Sequence, residues 1–180
     1  FLEELHSKLG ETVHLAVRYG GEVVYLDTLV AAGFFAKYTP VGTRAPVHVT
    51  ALGKALLAFA SNAEIKAVLA EYDFIRLTVN TIGSPDEFWK EIDEIRRRGY
   101  AIAMEESSPG VRCIASIVAN GAGRATSAIS VSARSHRLST PEQIEDVAEF
   151  VCAACRSASR TLGADLGPDP KTWYVELLGG

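Results

Sequence analysis

Two strand-turn-strand patterns constrain the fold of this chain more than any other feature. Apolar residues alternate over residues 11–19, and a second strand-like run at 23–29 follows the pair Gly20-Gly21. The same arrangement recurs at 111–119 and 124–133, on either side of a second glycine-rich turn. Such turns between alternating runs are typical of β-hairpins. Because hairpins pair their strands antiparallel, the sequence predicts an antiparallel sheet.

Three helix starts carry the pattern of a capping box, in which a hydroxyl lies three residues before an acid or an amide. They are Ser61-Asn-Ala-Glu64, Ser84-Pro-Asp-Glu87 and Thr140-Pro-Glu-Gln143. The third begins the longest predicted helix, whose apolar residues keep helical spacing as far as Leu162. A short strand is predicted at 100–105. Since helices must cover at least one face of the sheet, the predicted class is α+β.

A further helix start at Thr50 has the properties of an anion site. An extended segment with Pro46 leads into Thr50, and an Ala/Leu-rich helix follows. A cap by the Thr50 hydroxyl would leave the backbone N–H groups of Ala51, Leu52 and Gly53 free. A helix start of this kind favours negative charge without needing a charged side chain. The pattern therefore favours a site that binds a small acid over a site that catalyses its conversion.

One face of the second predicted hairpin carries small, mildly polar side chains. Cys113 comes from the first strand, and Ser130 and Ser132 come from the second, while Ile129 and Val131 fall on the opposite face. Small residues on a concave face leave room for a ligand. Buried hydroxyls need hydrogen-bond partners, which a small polar ligand would provide. The same pattern is equally compatible with a face that is exposed to solvent or covered by a closely packed helix.

Charge and apolar patterning exclude several classes of protein. The net charge is −4, and the one Arg triplet, at 96–98, ends a predicted helix, where cations favour the dipole. We therefore expect no nucleic-acid binding by this chain itself. No apolar run approaches ~20 residues and no signal peptide is visible. Three cysteines make an odd, sparse set that fits a reducing compartment, so we expect a cytoplasmic protein without membrane contact.

Nothing in the residue spacing predicts a catalytic or metal centre. Cys152 and Cys155 lie within a helical apolar stripe, and no second Cys/His pair completes a zinc site. Glu105 and Glu106 are adjacent in a predicted strand, so their side chains should point to opposite faces. Of the scattered histidines, His48 is the one most expected to matter, by positioning the capped helix. We expect no enzyme activity, no metal and no cofactor.

Several stretches, in this order, resemble the effector-binding domain of IclR-type transcriptional regulators. They are GETVHLAV from Gly10, PVGTRAPVHVTALGKALL from Pro40, TVNTI from Thr78, RGYA from Arg98, EE at 105–106, GVRCIA from Gly110 and AISVS from Ala128. Each is weak alone, but the ordered set is specific and spans about residues 5–163. The resemblance implies a GAF-like domain, in which helices flank a curved antiparallel sheet with a pocket for a small metabolite.

The resemblance also implies a larger regulator. Its N-terminal winged helix-turn-helix would bind DNA as part of a homodimer or homotetramer, and this chain would contact DNA only through that absent domain. Residues 1–9 would be the end of the linker helix, 10–163 the effector-binding domain and 164–180 a C-terminal tail that the sequence does not place.

Matching positions in the family imply a ligand-binding set in this chain. Ala51 and Leu52 match the helix start that holds the acid group, and Cys113 with two serines matches a thiol and two hydroxyls that bind small carboxylates. The remaining members match apolar walls. The full set is Phe34, Ala45, Ala51, Leu52, Val111, Cys113, Ser130 and Ser132.

Two positions depart from the family pattern. Ala103 stands where the family often has an acid facing the ligand, so an acceptor for a ligand hydroxyl is lost. Lys37 falls near a position that is usually apolar in members that bind small acids. We therefore expect a ligand that differs from a short keto acid and is larger or more apolar, such as an aromatic acid.

Two other functions stay open at this point. Cys113 could serve a GAF-like thiol enzyme or redox sensor, which would need a lowered thiol pKa. Alternatively, the domain could be a dimerisation module whose interior is filled by side chains. A reactive thiol would favour the first function, and a closed interior would favour the second.

Overall fold

A computed structural model of the chain describes residues 1–33 and 39–179. Its strands are β1 (Thr12–Tyr19), β2 (Glu22–Leu29), β3 (Arg44–Pro46), β4 (Ala101–Met104), β5 (Val111–Ala119) and β6 (Ala125–Arg134). They form an antiparallel sheet in the order β3-β2-β1-β6-β5-β4, curled into a half-barrel. Both predicted hairpins are present, and the pairing of β1 with β6 joins them at the centre of the sheet. The predicted α+β class is confirmed.

The helices of the described residues are α1 (Leu2–Leu9), α2 (Ala51–Ala58), α3 (Asn62–Leu69), α4 (Pro85–Arg98), α5 (Pro141–Thr161) and α6 (Trp173–Leu178). The capping boxes that start α3 and α5 are complete. At α4, Ser84 caps the Glu87 N–H as predicted, but the Glu87 carboxylate accepts from the N–H of Gly83 instead. In the ranges described, no helix is long and apolar enough to cross a membrane.

Helices cover both faces of the sheet. α5 and α1 pack on one face, where the larger Ile129 and Val131 are buried. α2 packs on the other face, against β4, β5 and β6. On that face Ala115 and Ser130 are paired across β5 and β6, and both are almost fully buried. Small side chains there let a helix backbone approach the sheet closely.

α2 is buried along its whole length because it is wedged between the sheet and the residues that precede it. A 3₁₀ turn at Val47–Val49 leads into the helix. A Cβ built on Gly53 would lie 2.4 Å from the Cα and 2.5 Å from the carbonyl oxygen of Val47. The contact is with backbone, so no side-chain rotation can relieve it. Glycine at this position therefore sets how closely α2 follows its own entry turn.

The C-terminal tail, which the sequence does not place, docks on α4. Trp173 is 1% exposed, and its indole N–H donates to the carbonyl of Gly167 at 2.8 Å. The Arg96 guanidinium lies 4.2 Å from the ring centroid of Tyr174. An aromatic pair thus ties residues after α5 back to the domain.

Replacing Gly53 with alanine should destabilise the domain. Alanine is the better helix former, but the added methyl group would meet the Val47 backbone, at a cost of about 1–3 kcal/mol of overpacking. Chemical denaturation would measure this as a lower unfolding midpoint. Asn62→Ala, at the exposed start of α3, is the control and should be close to neutral or stabilising. A Gly53→Ala variant as stable as the parent would contradict the described packing.

Candidate functional site

A cavity of about 530 Å³ opens between the sheet, the start of α2 and three loops. This volume lies within the range of about 300–1,000 Å³ typical of small-molecule sites. Its polar lining consists of Thr12, His14, Tyr25, Thr28, Thr39, Thr43, Arg44, Thr50, Ser107, Ser108, Cys113 and Ser132. Its apolar lining consists of Val30, Ala45, Pro46, Val49, Leu77, Pro109 and Val111. The described side chains therefore do not fill the interior, as a pure dimerisation module would require.

Four of the eight predicted ligand-binding residues line this cavity: Ala45, Val111, Cys113 and Ser132. Cys113 and Ser132 are cross-strand partners, and the Cys113 Sγ lies 3.1 Å from the Ser132 Oγ. Burial raises the pKa of the Cys113 thiol to about 11. The thiol is therefore protonated at neutral pH, which suits a hydrogen-bonding wall and does not suit a nucleophile or redox sensor.

The other predicted members are not in the cavity lining. Ala51, Leu52 and Ser130 are each at most 2% exposed, because α2 covers this part of the sheet. Both sequence interpretations of the small face therefore hold in part, since one end lies under a helix and the other borders the cavity. Phe34 and Lys37 lie outside the described residues.

The start of α2 reaches the cavity through Val49 and Thr50. The Thr50 Oγ1 accepts from the Gly53 N–H at 3.0 Å, which confirms the predicted cap. The expectation that the Gly53 N–H is free is wrong, because the cap itself uses that group. The N–H groups of Ala51 and Leu52 still have no acceptor within the helix, as at any helix start. The positive end of α2 thus lies next to the cavity through Val49 and Thr50, whereas Ala51 and Leu52 are buried outside its lining.

A buried lysine, which the sequence analysis missed, anchors α2. Lys54 is 1% exposed, and its Nζ donates to the carbonyl of Ile102 at 2.6 Å and to Glu106 Oε1 at 2.8 Å. Glu91 Oε1 lies 3.4 Å from the same Nζ, and it also pairs with Arg98 at 2.8 Å. The sequence does indicate that this lysine is buried, because Lys54 is the one charged residue in an otherwise apolar helix that has no polar face.

The two adjacent glutamates are arranged differently from the prediction. β4 ends at Met104, so Glu105 and Glu106 lie after the strand and not within it. Glu105 adopts a φ of 63° and is held by the Gly110 N–H at 2.8 Å and by Arg112 at 3.3 Å. Burial raises the pKa of Glu106 in spite of its Lys54 partner, and its Oε2 has no hydrogen-bond partner among the described residues.

His14 contributes a neutral imidazole to the cavity wall. It is 7% exposed, and burial lowers its pKa to about 4. Its Nδ1 lies 3.1 Å from the Thr28 Oγ1, and the edge of its ring meets Tyr25 with centroids 5.2 Å apart. In the sequence this histidine is one of a scattered set, and its partners come to it from β2, where Thr28 is its cross-strand neighbour.

His48 lies in the turn before α2, as its predicted positioning role requires. Its ring is fully buried, with Nδ1 2.7 Å from the Tyr72 hydroxyl and Nε2 3.0 Å from the Ile75 carbonyl. These bonds connect the start of α2 to the segment that carries Leu77, another residue of the cavity wall. Over the described ranges, no group of three His, Cys, Asp or Glu side chains is placed to hold a metal ion.

Comparisons with known proteins agree on one family. Residues 1–160 match the family model described as "Bacterial transcriptional regulator IclR C-terminal". The chain is 34% identical over 163 residues to the HTH-type transcriptional regulator XynR of Escherichia coli K12, which covers 91% of this chain and 64% of XynR. The crystal structure of Thermotoga maritima IclR is similar, with a TM-score of 0.87 at 31% identity over 91% of this chain and 66% of that one.

A further similar structure contains a ligand. It is the inducer-binding domain of a PobR double mutant from Acinetobacter, in complex with 3-hydroxybenzoic acid. Its TM-score is 0.77 at 25% identity, and the match covers 88% of this chain and 93% of that one. The present chain thus spans nearly the whole of an isolated inducer-binding domain, but less than two thirds of XynR.

Replacing Lys54 with methionine should cost about 3–5 kcal/mol of stability, because Glu106 would remain buried without its partner. The double variant Lys54→Met/Glu106→Gln removes both charges and should recover part of that loss. Denaturant unfolding of the parent, Lys54→Met, Glu106→Gln and the double variant measures both effects. Arg97→Met, which removes the exposed pair with Glu94, is the control and should change stability little. Additive losses in the double variant would contradict a coupled pair.

The buried imidazole of His14 should make the domain less stable as the pH falls. The folded pKa of about 4 lies below the unfolded value of 6.5, so only the unfolded chain binds this proton between these values. Stability that is complete above pH 6.5 is lost towards pH 4, by about 3 kcal/mol. Urea unfolding across this range should show a shallower pH dependence in His14→Phe. Parallel curves for the two proteins would contradict a neutral buried imidazole.

Proposed function

Because the chain belongs to the IclR family of bacterial transcriptional regulators, through its match to their C-terminal domain, we propose that it senses a small carboxylate metabolite. The effector would control DNA binding by a winged helix-turn-helix elsewhere in the same polypeptide. The relatives are regulators of transcription and not enzymes, as the sequence analysis expects. One observation carries the proposal: a helix start, a neutral thiol and a hydroxyl border the same cavity.

The acid group of the effector would lie at the start of α2. The Ala51 and Leu52 N–H groups would donate to it, which needs only their backbone and is compatible with their buried side chains. Cys113 and Ser132 would bond polar groups of the effector from the sheet, with Ser130 behind them. Ala45 and Val111 would complete the site as apolar walls. Phe34, which the family resemblance adds to these walls, lies outside the described residues.

An aromatic acid fits this cavity better than a short keto acid does. Ala103 is buried opposite Cys113 and offers no carboxylate to a ligand, and the cavity of about 530 Å³ is large for a three-carbon acid. The complex of the similar PobR domain with 3-hydroxybenzoic acid supports an aromatic ligand in a domain of this shape. A thiol chemistry at Cys113 has no comparable support, because burial raises the thiol pKa to about 11.

β1 connects the cavity to α1, the helix that would join the proposed DNA-binding domain. β1 contributes Thr12 and His14 to the cavity wall, and α1 runs into β1 through Gly10. Residues 1–9 would be the end of the linker helix, 10–163 the sensing domain and 164–180 a docked tail.

An effector regulates only if it binds one arrangement of the linked subunits better than another. The working unit would be a homodimer or homotetramer in the cytoplasm.

Calorimetry with benzoate, 3-hydroxybenzoate and pyruvate should show tighter binding of the aromatic acids. Ser132→Ala should weaken the binding of the best acid by about 1 kcal/mol, the net value of one hydrogen bond. The same change at Ser127, on the same strand but outside the cavity lining, is the control and should have no effect. Tightest binding of pyruvate would refute the ligand class. Unchanged affinity in Ser132→Ala would refute the site.

A further inference from the structure

We propose that His14 determines effector specificity, because its Nε2 accepts a hydrogen bond from a hydroxyl or N–H group of the bound acid. This inference rests on the proposed function. It adds that the effector carries a hydrogen-bond donor as well as its carboxylate. The sequence resemblance does not assign His14 to the site.

A relay of two hydroxyl contacts fixes the tautomer of the His14 ring. The Thr28 Oγ1 donates its one hydrogen to the carbonyl oxygen of Thr39 at 3.1 Å. The same Oγ1 lies 3.1 Å from the His14 Nδ1, and it has no hydrogen left to donate there. With the Thr28 hydrogen donated to Thr39, His14 carries its proton on Nδ1 and donates it to Thr28, an assignment that the spectra below test. In a neutral imidazole, this leaves Nε2 as an acceptor.

The surroundings of the ring keep it neutral. His14 is 7% exposed, the edge of its ring meets Tyr25, and no carboxylate among the described residues forms a salt bridge with it. Burial without a compensating negative charge disfavours the imidazolium, and it lowers the pKa to about 4. Near neutral pH, the ring therefore offers a lone pair and not a second N–H.

The ring that carries the acceptor nitrogen forms part of the lining of the cavity. His14 lines it together with Tyr25 and Cys113, and no described residue hydrogen-bonds to Nε2. A polar atom in a largely buried setting gains free energy when a ligand supplies its partner. A donor on the ligand would fit here, whereas a second carboxylate would be repelled by the lone pair.

His14 also supplies what Ala103 lacks. Ala103 on β4 is buried opposite Cys113, outside the cavity lining, and offers only a methyl group, while His14 on β1 brings an acceptor to the cavity wall. The start of α2 donates hydrogen bonds and His14 accepts them. Since these two groups have opposite polarity, a hydroxy acid would bind in one orientation.

The test compares three acids that differ at one atom group: benzoate, 3-hydroxybenzoate and 3-methoxybenzoate, each titrated calorimetrically into the whole chain. The hydroxylated acid should bind about tenfold more tightly than benzoate, the equivalent of one good hydrogen bond. The methoxy acid, which can accept but cannot donate, should show no such gain. In His14→Phe the ratio of the 3-hydroxybenzoate to the benzoate affinity should fall from about ten to about one.

Equal affinity for benzoate and 3-hydroxybenzoate, or a preference that survives in His14→Phe, would overturn the role of His14 and leave the proposed sensing of a carboxylate intact. If none of the three acids binds, the aromatic ligand class of the proposed function fails. The state of His14 is then decided by the ligand-free measurement below.

Long-range ¹H–¹⁵N correlation spectra report the His14 tautomer directly. We expect a protonated Nδ1 and a bare Nε2 at pH 7, the less common form of a neutral histidine. Thr28→Val removes the acceptor of the Nδ1 proton, keeps the side-chain shape and should shift the ring towards the Nε2–H form. A ring protonated on Nε2, or on both nitrogens, in the parent protein would refute the inference whatever the ligand is.

Discussion

The buried ammonium group of Lys54 is the constraint on which the rest of the structure depends. A charge in the interior is tolerated only where several acceptors surround it, and here they come from β4, from the segment after it and from α4. Meeting this requirement fixes α2 against the sheet in position and rotation. Thr50 lies one helical turn before Lys54, so the same bonds locate the helix start that borders the cavity.

Small side chains give one sheet face two different uses. Where α2 covers the face, Ala115 and Ser130 allow close packing. Two residues further along the strands, beyond the helix start, Cys113 and Ser132 are left lining a space. The cavity thus needs no special architecture of its own. It results from a short helix that begins part-way across a face without large residues.

Most of the fold could be predicted from short-range patterns in the sequence. Hairpin turns and helix caps act over three or four residues, so the sequence located both hairpins, the Thr50 cap and the starts of α3, α4 and α5. The pairing of β1 with β6 joins residues more than a hundred positions apart, and no local signal specifies it. The resemblance to a known family implied a curved antiparallel sheet, and the structure supplied the strand order.

The site was predicted less completely, for a related reason. Alternation along β5 and β6 was enough to bring Cys113 and Ser132 together. The ion pairs of Lys54 and the relay through His14 depend on side chains contributed by other elements, and spacing along one strand or helix does not show them. The position of Ser130 under α2 likewise depends on how far the helix extends.

The junction between α1 and β1 has a mechanical consequence. Gly10 adopts a φ of 67°, nothing lies within 4 Å of where its Cβ would be, and the His6 Nδ1 bridges to the Glu11 carbonyl at 2.7 Å. The open space at Gly10 leaves room for a change of angle at this joint, while Leu5 holds α1 against the domain. With α1 about 12 Å long, a tilt of about 10° at this joint would move the far end of the helix by about 2 Å. A small rotation at the β1 end of α1 would thus become a displacement comparable to an atomic radius at its other end.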